Sequence, residues 1–118
     1  MNMDYVCTNI DLLPVWHRLT EYCKKYEPFM RIKRDDIGYY RLETNSRKPF
    51  IATCVQKKHV GVYSVVMYRQ PHLIPKELEQ FRIGKSCIGF LKDEDEIKHV
   101  PKLIENIFDY YAQNEGIR

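Results

Sequence analysis

The chain has 118 residues, 44% of them apolar, and its charged residues make up 30% and are spread along its length. That composition sets a single globular domain with an ordinary core and excludes a disordered segment. Nineteen basic and 16 acidic side chains leave a net charge of +3, too mild for an electrostatic nucleic-acid binder.

Residues Asp11 to Tyr26 read as a first helix. Leu12, Val15, Trp16, Leu19, Tyr22, Cys23 and Tyr26 recur at helical spacing on one face, with His17, Arg18, Glu21, Lys24 and Lys25 on the others. Asn9 or Asp11 caps its start, Pro14 falls in the first turn, and Pro28 stops it. A strand-rich middle follows. Phe29 to Lys33 is a first strand, Asp35-Asp36 a turn, Ile37 to Glu43 a second strand, Thr44 to Arg47 a loop and Phe50 to Gln56 a third strand. His59 to Tyr68 (HVGVYSVVMY) is the strongest β signal, and Lys57-Lys58 joins it to the third strand as a hairpin. Both alternating sets of this fourth strand are apolar: Val60, Val62 and Val66 on one, Tyr63, Val65 and Met67 on the other. The expectation is a strand covered on both faces, or a sheet with one face left for a ligand or partner.

Gln70 to Leu73 reads as a loop and Pro75 to Phe81 as a short helix with Pro first, ended by a left-handed Gly84. Ser86 to Leu91 is a fifth strand, Asp93-Glu94-Asp95-Glu96 an acidic loop, and Val100 to Gln113 a final helix that Gly116 ends. Leu103, Ile104, Ile107, Phe108 and Tyr111 form its buried stripe. The fold expected is α+β: an antiparallel sheet of about five strands with the N- and C-terminal helices on one face, in two layers.

Few motifs carry chemistry. Gly84-Lys85-Ser86 resembles the end of a phosphate-binding loop, but that loop needs a glycine where Glu79 stands, and a strand before it and a helix after it. Cys7, Cys23, Cys54 and Cys87 are separated by 16, 31 and 33 residues, which fits no zinc ribbon and reads as reduced core thiols. No run approaches 18 apolar residues, so no membrane span is expected. With no apolar leader at the start, the location expected is cytoplasmic. His17, His59, His72 and His99 lie on four separate elements. No nucleophile elbow or catalytic triad pattern is present, which argues against an enzyme. The carboxylates Asp93, Glu94, Asp95 and Glu96 are the candidates for a hard cation. Arg41, Lys57, Lys58, His59, Tyr63, Met67 and Lys85 are the candidates for a ligand or interface. Nine tyrosines are many for this length, but no run of the kind that stacks RNA bases on a sheet accompanies them, which argues against nucleic acid.

The hairpin PFIATCVQKKHVGVYSVVMY, the short helix PKELEQF, the run GKSCIGF and the segment KLIENIF together resemble the YdhG-like family of small bacterial domains of unknown function. The resemblance implies a frataxin-like fold of antiparallel sheet plus helices. It also raises iron as a cofactor or cargo, since a family member has been linked to iron delivery. The acidic ridge that frataxin-type iron binding uses has no counterpart here: the first helix region offers Asp11, Glu21 and Glu27 against His17, Arg18, Lys24 and Lys25. Three readings follow. The first is a non-enzymatic binding or interaction module, including a homodimer or protein partner through a sheet face. The second is an iron metallochaperone. The third is an enzyme or binder for a small anionic metabolite near Lys57, Lys58, His59 and Lys85.

Overall fold

The computed structural model describes residues 6–115; the Gly116 stop lies outside them. A five-stranded antiparallel sheet in the simple order β1-β2-β3-β4-β5 is built from β1 (Arg31–Asp36), β2 (Tyr39–Glu43), β3 (Pro49–Val55), β4 (Val60–Tyr63) and β5 (Cys87–Phe90). The helices α1 (Leu13–Lys24) and α3 (Val100–Glu115) pack on one face of it, and a single helical turn, α2 (Val66–Arg69), follows β4. The fold is α+β, as the element pattern predicts.

The first helix forms for the expected reasons. Asn9 accepts a hydrogen bond from the Asp11 amide at the head of a 3-10 turn, Ile10–Leu12, and Pro14 occupies the first turn of α1. Its apolar stripe is buried at Leu12, Val15, Trp16, Leu19 and Cys23. The α3 stripe is buried at Leu103, Ile104, Ile107 and Tyr111, with Phe108 partly covered. These stripes meet the alternate residues of the sheet. Tyr40 and Leu42 of β2, Ile51, Thr53 and Val55 of β3, Val60 and Val62 of β4, and Ile88 and Phe90 of β5 share the inner face through the cross-strand register. Phe50 joins them because a register shift between Leu42 and Glu43 turns it inward, where its ring meets Tyr26, Phe108 and Tyr111.

Three polar contacts fasten the helical layer to the sheet. The Trp16 indole N–H donates to the Thr53 carbonyl at 3.1 Å, the Thr20 and Thr53 hydroxyls bond at 2.7 Å, and the Tyr111 hydroxyl donates to the Pro49 carbonyl at 2.7 Å. Tyr40, fully buried on β2, donates to the Glu27 carboxylate at 2.5 Å, just beyond α1.

The structure corrects several boundaries. β1 begins at Arg31 and runs through Asp36, and the β1–β2 turn falls at Ile37-Gly38, where Gly38 takes φ +88°. Asp35 and Asp36 instead pair with Tyr40 and Tyr39. Glycine reaches that left-handed backbone without the Cβ clash an aspartate meets. The fourth strand stops at Tyr63, and the β-rich string Val65–Tyr68 folds as α2 and its lead-in. Val66 and Met67 thereby turn into the core, both buried. The short helix at Lys76–Phe81 is 3-10, and Arg82 after it is already extended. Gly84 is left-handed, with φ +75°, but it turns a loop within the Arg82–Ile88 pairing and is not the residue that ends the helix.

The buried hydroxyl pair gives a direct test of the helix–sheet joint. Thr20→Val leaves the Thr53 hydroxyl buried without its partner and should cost about 1–3 kcal/mol. The Thr20→Val/Thr53→Val double variant removes both polar groups and should be more stable than the sum of the single losses. A urea-denaturation double-mutant cycle reads the difference.

Candidate functional site

No helix of the described residues covers the outer face of the sheet. Its residues alternate with those of the core. Arg34 faces Arg41, which faces Ala52, Tyr63 and Cys87 in one row; Asp36, Tyr39, Cys54, Gly61 and Gly89 form the next. Ala52 is the middle of the first row, and Cys54, Gly61 and Gly89 make up most of the second, so the face there is shallow and close to backbone.

Two side chains seal one part of this face. The Tyr63 ring lies down over Gly61: a methyl group there would sit 2.5 Å from its Cε2 atom. Ile83, carried by the loop before β5, lies over Gly89, where a methyl group would meet its Cδ1 at 2.2 Å and His59 Cδ2 at 3.0 Å. That loop is held closed by the Ile83 amide donating to the Cys87 carbonyl at 2.8 Å and by the Arg82 guanidinium donating to the Lys85 carbonyl at 3.2 Å. Gly84-Lys85-Ser86 is therefore the tip of a strap and leads into a strand, with no helix N-terminus behind it.

The remaining part is open. A trough of about 250 Å³ runs across β2, β3 and β4, with Arg41, Ala52, Tyr63, Ser64, Val65 and Ser86 among its lining residues. Ala52 is its floor, and Val65 is exposed beside it. The Ser64 hydroxyl is already committed to the Phe50 carbonyl at 2.7 Å, so the floor offers few free polar groups.

The two arginines of the first row differ in their surroundings. Arg34 pairs with Asp36 at 2.6 Å and stacks on the Tyr39 ring at 4.8 Å. Arg41 stacks on the same ring at 5.7 Å, is half-buried, and has no carboxylate partner among the described residues. An arginine beside an aromatic ring and without a carboxylate of its own can present its guanidinium to a carboxylate or phosphate.

Around Tyr63 lie two thiols that neither motif nor spacing singles out. Cys87 sits directly across from it, and Cys54 is the neighbour of Gly61 beneath its ring. Gln56 Nε2 lies 3.5 Å from the Cys54 sulfur. Burial pushes the Cys87 thiol from 9.0 up to about 11, against the opposing pull of hydrogen bonds from Tyr63 and the Val62 backbone. Burial, followed by the neighbouring Cys87, raises the Tyr63 hydroxyl as well. Both groups therefore stay protonated at neutral pH. The Lys57-Lys58 hairpin gives part of this group, because pairing Val55 with Val60 places Cys54 against Gly61 and Ala52 against Tyr63, while Cys87 joins through the β4–β5 register.

The sequence candidates scatter. Arg41 and Tyr63 meet at the trough, and Lys85 stands near its far rim through Ser86. Lys57 and Lys58 are exposed at the hairpin tip, and His59 packs by Gly89 and Ile83. Met67 lies in the core with none of its surface exposed and cannot line the face, because α2 turns it inward. The four acidic residues diverge. Asp93 pairs with Arg18 at 2.5 Å, Glu94 borders a depression beside Ile83 and Leu91, and Asp95 and Glu96 face a different one with Glu77 and His99. Among the described residues, no group of three or more His, Cys, Asp or Glu side chains is placed to hold a metal ion. No helix among them is long and apolar enough to cross a membrane. Comparison with family models, with curated proteins and with solved structures gives no match.

Two outcomes test this geometry. Gly61→Ala should lift the Tyr63 ring and cost about 1–3 kcal/mol, the usual penalty of overpacking; adding Tyr63→Ala should relieve much of that cost in thermal unfolding. The thiol supplies a pH signature. Its folded pKa is raised, so the folded chain keeps a proton that the unfolded chain loses first. The stability from Cys87 is thus fully present below about pH 9 and is lost as the pH rises towards about 11. The urea midpoint should fall across that window, and less steeply in Cys87→Ala.

Proposed function

We propose that this domain is a non-enzymatic binding module, of the YdhG-like kind its sequence resembles, that takes a small anionic ligand on the uncovered part of its sheet. One observation carries the reading: Arg41 is half-buried, ring-stacked and without a carboxylate partner among the described residues, and it borders an apolar trough. A planar guanidinium gives a carboxylate or phosphate two parallel hydrogen bonds, and the neighbouring apolar floor strengthens them by limiting water.

The surroundings favour binding over chemistry. A nucleophile must be activated by a base or a lowered pKa, whereas burial pushes Cys87, the thiol beside Tyr63, the other way. The trough is also open and shallow, which suits a ligand held at one end by charge.

Thermal-shift screening with carboxylated and phosphorylated metabolites, followed by calorimetry on the hits, tests the reading. Arg41→Gln should weaken binding about tenfold to a hundredfold, since a hydrogen bond to a charged group contributes about 1.5–3 kcal/mol. Lys58→Gln, at the hairpin tip, should leave binding unchanged. A flat screen with the parent protein, or affinity retained in Arg41→Gln, would rule the reading out.

A further inference from the structure

Lys85 is the second cation of the same face. It is exposed, its ammonium stands 5.0 Å from the centre of the Tyr68 ring, and no carboxylate pairs with it among the described residues. Tyr68 follows Val65 by three residues, and its amide donates to the Val65 carbonyl at 3.1 Å. Side chains at that spacing share one side of a helical turn, and both are exposed. Val65 lines the trough, and so does Ser86, the neighbour of Lys85. Lys85 and the ring beside it thus adjoin lining residues that follow β4 and precede β5, whereas Arg41 lines the trough from β2. The row Arg41, Ala52, Tyr63, Cys87 crosses three strand spacings, about 14 Å at the backbone.

We propose that the trough binds an elongated dianion, with one anionic group on Arg41, the other on Lys85, and a flat or apolar middle against Ala52, Tyr63 and Val65. The proposal rests on the Arg41 reading above and deepens it. The two ends differ in chemistry. Arg41 presents a planar fork that matches a carboxylate, and Lys85 presents a point charge that accepts a carboxylate or a phosphate equally. The middle is apolar because the Ser64 hydroxyl is spent on the Phe50 carbonyl, so a hydroxylated middle would lose water contacts without replacing them. Each cation lies beside an aromatic ring, Tyr39 for Arg41 and Tyr68 for Lys85, which favours the positions the two ends need.

Calorimetry with matched probes tests this on the full chain. The dicarboxylates from succinate to suberate and terephthalate are compared with the monocarboxylates of equal length and benzoate, with orthophosphate as a short dianion. The dicarboxylates should show an optimum length and bind about tenfold tighter there than the matched monoacid. Lys85→Gln should bring the best dicarboxylate down to monoacid affinity and leave the monoacids unchanged; Arg41→Gln should weaken both classes. Equal affinity for matched mono- and dicarboxylates, no length optimum, orthophosphate binding as tightly as the best dicarboxylate, or equal loss of both classes in Lys85→Gln would overturn the two-ended proposal. In those cases a continued dependence on Arg41 leaves the simpler anion reading standing. Absence of binding by the parent protein, or binding unaffected by Arg41→Gln, would overturn both. Unchanged urea midpoints in the two variants exclude unfolding as the cause of any loss.

Discussion

Six consecutive residues of β3, Phe50 to Val55, are buried, and the two sides of the strand are buried by different means. The inner side is covered by helices: Trp16 and Thr20 reach Thr53, and the aromatic rings of Tyr26, Phe108 and Tyr111 surround Phe50. The outer side has no layer of its own. Ala52 and Cys54, the outward residues there, are small and almost fully buried. Everything else on the outer face follows from that economy. Small residues let Tyr63 lie over Gly61 and Ile83 over Gly89, and where this covering ends, the trough begins.

Much of this was legible in the sequence, and the parts that were not have physical causes. The helices showed in a period near 3.6, and both stripes proved buried except at Tyr22 and Phe108, which are partly covered. The hairpin showed in two β-rich runs around Lys57-Lys58, and its pairing is antiparallel. The string Ser64–Tyr68 misled because its β propensity is high while its role is to close the end of the core. Folding it as a turn of helix sends Val66 and Met67 together into one core, whereas neighbours in a strand point to opposite faces. Apolar character on both alternations of the run thus came from a change of secondary structure, and an uncovered face exists for a different reason: both helices share one side.

The candidate site was harder to read than the fold. Arg41 is one of 19 basic residues, and nothing local distinguishes it from Arg34. Each has a carboxylate two residues on, Asp36 and Glu43, and the difference arises when β1 is laid beside β2: Asp36 pairs with Arg34, whereas Glu43 pairs with Arg31 opposite it in the register. The β1 register was itself obscured because Asp35-Asp36 looks like a turn, whereas Gly38 provides it. Lys85 has the same history. Its string resembles the end of a phosphate loop, whereas the loop's backbone is closed on itself through Ile83 and Cys87.

The energetics of such a face are set at its ends. The floor of the trough is small and already partly covered by Tyr63, so apolar contact there contributes little beyond about 25 cal/mol for each square ångström newly buried. A charge-assisted hydrogen bond contributes about 1.5–3 kcal/mol, and a dissociation constant of about 1 mM corresponds to about 4 kcal/mol. On the proposed reading, two parallel bonds from Arg41 to one anionic group are of the same order as that figure before the cost of association is counted, so a single group is held weakly. Two groups joined by a rigid middle meet that cost once and gain at both ends. On the proposed two-ended reading, selectivity among anions follows from the distance between Arg41 and Lys85 more than from either residue alone.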